Sequence, residues 1–545
     1  MKYKKIQIED IFFTFVMASF MFHQYKSIVI GGTVWDDPNH VTTSQIIIEK
    51  AKLFFIEPNN PFLSEFAFNY EFYGYIVAIP VFILSNNGLV INLFEYILQD
   101  NLSVNLNNLV EVNNIIRFNV LSFYVVTCLF FIYKLLINFY NKRNSLLGVV
   151  FLILIPSFNG QALFNIKDIP FALQLFLACL YLLVIEKKRF GIHNASLKEK
   201  LTILFLISSI LLVRLNGFLF IGLCSVYLLT SSNEKVKYII NYFYLYSGSL
   251  VLFFLGSPSS WQKPKLYITE TINTQFFLEW TGATLTNGKF IYALEMEPYY
   301  LTTWLFYRLP VVFHFGLISS TILYIYRKKL SEVFKLSIFY IYVINILFIG
   351  YLPVSYDGIR QYLFLLPFFS IVLVESITLI KNKLIKNTCI VLVITYLFFT
   401  QMGLGPYKYT YFNEFVNKND VTIYCDHVGG CGNWATDYLA YSGKELSRKA
   451  LNLDIEKVYL CEPAYAFSSY LDKEIKILNN DSFLKDIPSN KEFNILNIHR
   501  PMLSYDTCGF IDSGREYTCE LVDSVTRKLR SVEIILSYIQ KCKFI

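Results

Sequence analysis

The stretch 11–30, IFFTFVMASFMFHQYKSIVI, runs directly into Gly31-Gly32-Thr33-Val34-Trp35-Asp36-Asp37-Pro38-Asn39-His40. A helix of that length spans about 30 Å, the thickness of a bilayer's hydrocarbon core. The basic segment before it, with Lys2, Lys4 and Lys5, marks a cytoplasmic N-terminus. No small-x-small cleavage site follows, so the run reads as an uncleaved first helix rather than a signal peptide. Two adjacent carboxylates, Asp36 and Asp37, then stand where the chain leaves the membrane.

Further apolar runs follow at 115–138, 145–160, 169–186, 201–214, 217–232, 238–256, 302–326, 332–353, 360–380 and 388–404. Only 16% of residues are charged and 54% are hydrophobic, where a soluble domain carries about one quarter charged residues. The fold class expected is mainly α: a polytopic bundle of eleven spans over 1–404. The net charge of +7 does not indicate a nucleic-acid partner. The cations sit in short clusters between apolar runs, as membrane-topology charge does. Lys142-Arg143, Lys187-Lys188-Arg189, Lys235/Lys237, Arg327-Lys328-Lys329 and Lys381/Lys383/Lys386 punctuate alternate turns. All fall on the side of Met1 if the eleven spans hold.

The opposite, non-cytoplasmic side then receives three pieces. A loop from 31 to 114 contains an apolar segment, Phe72–Leu84, interrupted by Pro80 and read as an interfacial or re-entrant helix. A second loop covers 257–298. The third piece, 405–545, is a small α/β domain with strand-like runs at Val421–Tyr424, Lys457–Leu460 and Phe493–Ile498, then a basic, partly apolar segment at Val525–Ile539. Cys425, Cys431, Cys461, Cys508, Cys519 and Cys542 all lie in it, an even set that fits disulfides in an oxidising compartment. Cys425/Cys431 and Cys508/Cys519 would close short loops, although spacing does not fix connectivity. Cys128, Cys179, Cys224 and Cys389 lie in the spans, where a small packing role is the default.

Four features carry chemistry. The first is Asp36-Asp37 with His40, read either as a solvated turn or as a general base at the membrane surface. The second is Asn165-Ile166-Lys167-Asp168-Ile169-Pro170, either a helix-breaking loop or a charged site. The third is Tyr356-Asp357-Gly358-Ile359-Arg360-Gln361-Tyr362, either a snorkelling anchor or a phosphate holder. Arg214 is the fourth. All four reach the same face in a topology set only by the basic loops. Charges at membrane depth need partners or ligands, and this set suits a phosphate-bearing lipid. Asp426-His427 and Asp437 can be read as catalytic, but their single, unclustered occurrence favours surface polar residues of the C-terminal domain.

These motifs resemble the GT-C class of glycosyltransferases, in particular the dolichyl-phosphate-mannose–protein mannosyltransferase superfamily and its bacterial relatives that use polyprenyl-phosphate sugars. The resemblance extends through Tyr409-Thr410-Tyr411-Phe412-Asn413-Glu414, Trp434-Ala435-Thr436-Asp437-Tyr438 and Ser442-Gly443-Lys444-Glu445-Leu446. It implies a bacterial inner membrane, a polyprenyl-phosphate sugar donor and a protein, lipid or glycan acceptor. It implies Asp36 as catalytic base, with Asp37 where the family has Glu. Arg360, Lys167 and Arg214 would hold the donor phosphate, and Asp168, His40 and Tyr362 would position substrate. The cofactor is unknown. Asp36, Asp37 and His40 form a partial shell for a divalent metal, against which adjacent Asp side chains often diverge. A lipid or solute transporter is the rival reading, but it predicts matched repeats that the sequence lacks. A lipid-linked glycan ligase or polymerase and a non-catalytic assembly factor are further alternatives.

Overall fold

The computed structural model describes residues 7–34, 36–65, 75–88, 109–277, 280–326, 330–417, 420–421, 432–453, 455, 457–471, 476–477, 492–500 and 517–544. Helices dominate through Met402, and a small mixed sheet closes the chain. The protein is an integral multi-pass membrane bundle with a C-terminal sheet domain.

The eleven expected apolar runs all fall on helix. Among the described residues six helices are long and apolar enough to cross a bilayer: Val112–Leu136, Asp168–Arg189, Lys235–Leu255, Glu332–Tyr351, Arg360–Thr378 and Lys383–Met402. A seventh forms if Tyr300–Arg308 and Val311–Tyr326, bent by 115°, act as one span. Pro310 sits at that bend and has no N–H to continue the ladder. The run 145–160 breaks likewise into Lys142–Ile153 and Pro156–Gln161. The Asn159 amide there donates to the Ile153 carbonyl at 2.8 Å, satisfying an acceptor that the break sets loose. Leu197–Val213 and Gly217–Ser231 are 17 and 15 residues long, under the roughly 20 that a full crossing takes. The first helix forms over Ile8–Ile30, with polar His23, Gln24 and Lys26 inside it. The segment around Pro80 is a helix over Tyr75–Ser85; Phe72, Tyr73 and Gly74 lie outside the described residues.

The basic turns gather at one end of the bundle. Lys134 and Lys142 pair with Asp10 at 3.2 and 2.6 Å, and Arg143 donates to Asn387 at 2.9 Å. Helix Asp168–Arg189 carries Asp168 at one end and Lys187-Lys188-Arg189 at the other. The helical stretch Arg360–Thr378 likewise starts on Arg360 and ends near Glu375, which accepts from Tyr140 at 2.7 Å. Two independent helices therefore put the acid–base motifs and the basic turns at opposite ends.

A hairpin of β1 (Ala283–Thr286) and β2 (Lys289–Tyr292) rises from the 257–298 loop. Asn287 and Gly288 take φ of 49° and 80°, the left-handed turn that asparagine and glycine tolerate best. The C-terminal sheet holds β3 (Lys457–Leu460), β4 (Lys476–Ile477), β5 (Glu492–Ile498), β6 (Tyr517–Leu529) and β7 (Val532–Phe544) in the order β4-β3-β5-β7-β6. The expected strands at 457–460 and 493–498 are present. The segment at 525–539 is most of a long antiparallel hairpin. Residues 422–424 lie outside the described residues. Cys519 bonds Cys542 across that hairpin, which corrects the Cys508/Cys519 option. Cys461 is disulfide-bonded too, while Cys425, Cys431 and Cys508 lie outside the described residues.

This domain is seated on the bundle by close contact. Lys444 donates to the Val29 carbonyl at 3.0 Å, and the Gly32 amide to the Tyr441 carbonyl at 2.9 Å. Lys408 donates to Asn159 at 2.9 Å. At Gly160 an added Cβ would stand 2.2 Å from the Tyr409 nitrogen. Gly160→Ala is expected to destabilise by about 1–3 kcal/mol through overpacking, read as a lower unfolding midpoint in detergent. Cysteines introduced at Arg143 and Lys188 are expected to react with an impermeant maleimide from the same side of sealed vesicles. Cysteine at Asn452, exposed in the C-terminal domain, is expected to react from the other. Labelling of all three from one side would refute the sidedness read from the basic turns.

Candidate active site

The chain reverses at Gln161–Asp168, and one amide organises the reversal. Asn165 Oδ1 accepts from the backbone N–H groups of Lys167 and Asp168 at 3.2 and 2.8 Å. Its Nδ2 donates to Gln161 Oε1 at 2.8 Å and to Asp168 Oδ2 at 2.9 Å. Lys167 and Asp168 are thereby fixed at the mouth of the helix that Asp168 begins. Asp36 immediately precedes helix Asp37–Ile56, and Pro38 occupies its first turn, where a missing N–H costs nothing.

The structure brings the predicted charges together. Arg360 reaches three carboxylates: Asp36 Oδ2 through NH2, Asp168 Oδ2 at 3.3 Å and Asp357 Oδ2 at 3.3 Å. Lys167 Nζ lies 3.8 Å from Asp36 Oδ2. Arg214 is bonded to Asp168 Oδ1. Asp168 thus holds two arginines. Asp36, Lys167, Asp168, Asp357 and Arg360 are all less than 9% exposed.

Two members were not among the predicted site residues. Asp357 lay inside a quoted motif, and Arg500 comes from the end of β5 in the C-terminal domain. Arg500 donates to Asp357 Oδ1 at 2.8 Å. The visible signal was a cation two residues beyond the strand-like run Phe493–Ile498. Asp357 and Gly358 take φ of 56° and 70°, so the turn carrying Asp357 is a left-handed pair that Gly358 eases. Its backbone is held by Thr284 Oγ1, which accepts from Asp357 N at 3.3 Å, and by Tyr300 OH, which accepts from Gly358 N at 3.0 Å. Burial pushes the Asp357 carboxyl above its usual range, against the pull of Arg500.

Two cavities flank this cluster. The first, about 470 Å³, is lined by Lys167, Arg214 and Tyr362 and backed by Leu219, Phe220 and Phe348. Tyr362 is held there through its hydroxyl, 2.8 Å from Ser355 Oγ. The second, about 640 Å³, is lined by His40, Ile166 and Arg117 among others. His40 therefore stands apart from the first cavity. Both cavities fall in the size range of small-ligand sites.

Asp437 is corrected from a surface residue to a fully buried one. It accepts from Tyr441 N at 3.0 Å and Ser442 N at 2.8 Å and is bonded to Tyr409 OH. Burial raises its pKa, opposed by those bonds. Asp426 and His427 lie outside the described residues. So does the side chain of Asp37, whose role as a partner of Asp36 remains a proposal. Among the described residues no three His, Cys, Asp or Glu side chains are grouped to hold a metal.

No family model matches the chain, and no curated protein matches it. Among solved structures it is similar to ArnT from Cupriavidus metallidurans bound to undecaprenyl phosphate, at 10% identity and a TM-score of 0.48, over 97% of each chain.

Arg360→Leu leaves three buried carboxylates short of their shared cation, which is expected to cost about 3–5 kcal/mol. Unfolding in detergent should show it as a large drop in midpoint, with Arg360→Lys falling between the two. An unchanged midpoint in Arg360→Leu would mean that the cluster does not hold the bundle's end together.

Proposed function

We propose that the chain is a GT-C-type glycosyltransferase that moves a sugar from a polyprenyl-phosphate carrier to an acceptor hydroxyl, at the non-cytoplasmic face of a bacterial inner membrane. The observation that carries this reading is the first cavity. Lys167 and Arg214 stand at one wall, and Leu219, Phe220 and Phe348 form an apolar back. A phosphate with a hydrocarbon tail matches that pairing of charge and grease. The motif resemblance at 165–171 and 357–362 agrees with it.

The chemistry follows from the atoms at hand. Both cations nearest Asp36 bind its Oδ2. Among the described residues nothing donates a hydrogen bond to its Oδ1, which is the atom assigned here to the acceptor hydroxyl. That hydroxyl oxygen attacks the anomeric carbon while the bond from that carbon to the phosphate oxygen breaks. The bond's electron pair leaves with the polyprenyl phosphate, and the hydroxyl proton passes to Asp36 Oδ1. A single displacement inverts the anomeric centre, through an oxocarbenium-like transition state as in glycoside chemistry generally. Lys167, Arg214 and Arg360 stabilise the charge that grows on the departing phosphate. Among the described residues seven charged side chains meet here, four cations against three carboxylates. The surplus positive charge suits an anionic leaving group.

The test is release of polyprenyl phosphate from a panel of polyprenyl-phosphate sugars, with membrane extract as acceptor source. Asp36→Asn is expected to lower kcat by about 10²–10⁴-fold, the usual worth of a general base. Arg214→Gln is expected to lower kcat/KM by about tenfold or more, the value of one charge-assisted hydrogen bond. Equal turnover by wild type and Asp36→Asn would remove Asp36 from the reaction. Transbilayer movement of labelled lipid with no donor cleavage would replace the transferase reading with a transporter.

A further inference from the structure

The second cavity differs from the first in its chemistry. Side-chain amides of Gln45, Asn86, Asn113 and Asn114 line it together with Arg117. No carboxylate is among its described lining residues. Asn113 Oδ1 and Ser85 Oγ are buried there without a hydrogen-bond partner among the described residues. Burial pushes the His40 imidazole well below its usual range, with Lys167 and Arg117 adding to the effect. His40 is therefore neutral near pH 7, and Arg117 supplies the full charge in the described lining.

The cavity's place is as telling as its lining. Ile166 faces it, and the next residue, Lys167, faces the first cavity. His40, which also lines it, sits one turn along the helix from Asp36, its N–H donating to the Asp36 carbonyl at 3.1 Å. Lys167, which lines the first cavity, pairs with Asp36, and the helix that follows Asp36 carries His40 to the second. Tyr465 and Ser469 of the C-terminal domain complete the wall.

A carboxamide donates and accepts at once, as a sugar hydroxyl does. Four amides, two acceptor atoms in need of a donor and an aromatic face at Phe82 match a chain of hydroxyl-bearing rings. An extended peptide read through its main chain needs a strand edge, and the described lining comes from helices and loops. We propose that this cavity seats the acceptor, a glycan that carries one anionic group, phosphate or carboxylate, held by Arg117. The role as acceptor site rests on the transferase reading; the ligand class rests on the lining alone.

The experiment is equilibrium binding to the full-length protein in nanodiscs, without donor. The probes are maltotriose, its monophosphate, a trisaccharide ending in glucuronic acid, and a serine-containing hexapeptide with one glutamate. The anionic trisaccharides are expected to bind about tenfold more tightly than maltotriose, the worth of one charge-assisted hydrogen bond. The better of the two identifies the anion. Arg117→Gln should erase that preference. Gln45→Leu, at an exposed position where folding is not at stake, should weaken all three saccharides severalfold. Undecaprenyl phosphate binding should stay unchanged in both variants. Tighter binding of the hexapeptide, no saccharide binding, or indifference to both substitutions would overturn the proposal. Saccharide binding as expected, in a protein that cleaves no donor, would sink the transferase reading and leave the ligand class standing.

Discussion

Burying charge is expensive, and this protein does it around one guanidinium. Arg360 is shared by Asp36, Asp168 and Asp357, each from a different element. In a low-dielectric setting each of those carboxylates would be costly alone. The shared cation therefore dictates where three chain segments end. The helix Asp37–Ile56 must begin beside it, the helix Asp168–Arg189 must begin facing it, and the left-handed turn at Asp357 must close over it. The other side of that turn is occupied by Arg500, so the C-terminal domain enters the same constraint from a different direction. Such a cluster is poor evidence for net stability, since well-packed apolar residues would often do better. A charged cluster at this depth points to a use for the charge.

Much of this was legible in the sequence because membrane segments make charge conspicuous. Asp36, Lys167, Asp168, Arg214 and Arg360 each interrupt an apolar texture, and the basic turns placed them on one face. What the sequence did not reveal was pairing at long range. Arg500 and Asp357 are 143 residues apart, and nothing local marks either as the other's partner. The bends within the apolar runs were hidden for a different reason. Hydropathy windows measure apolar length and not straightness, so Pro156 and Pro310 were visible as residues while the breaks they make were not. The pairing of Cys519 with Cys542 depends on the register of a hairpin that the basic residues at 527, 528 and 530 disguised. The Asn287-Gly288 turn, by contrast, is a hairpin signal that was present and went unread.

Asp36 and Asp437 show why burial alone does not identify a working carboxylate. Both are buried. Asp437 is enclosed by hydroxyl and amide donors, from Tyr409, Tyr441 and Ser442. Those neutral donors satisfy it where it stands, and its product is a fixed corner between the chain at 409 and the helix Gly443–Asn452. Asp36 is held by cations on one oxygen, and one of them, Lys167, lines the first cavity. Its partners are the groups that an incoming phosphate would also seek.

That competition gives the Asn165 amide its importance. By fixing the backbone of Lys167 and Asp168, it keeps Ile166 turned to one cavity and Lys167 to the other. An anion entering the first cavity meets Lys167 and Arg214 while both remain tied to acids, Asp36 and Asp168. Anion binding there must loosen those ties in proportion to the charge it brings, because each cation has a limited set of donors to share. The carboxylate most exposed to that exchange is Asp36, since the Asp168 carboxylate keeps its bond from the Asn165 amide. Filling the first cavity is thus coupled to the state of Asp36, through no moving part larger than a lysine side chain.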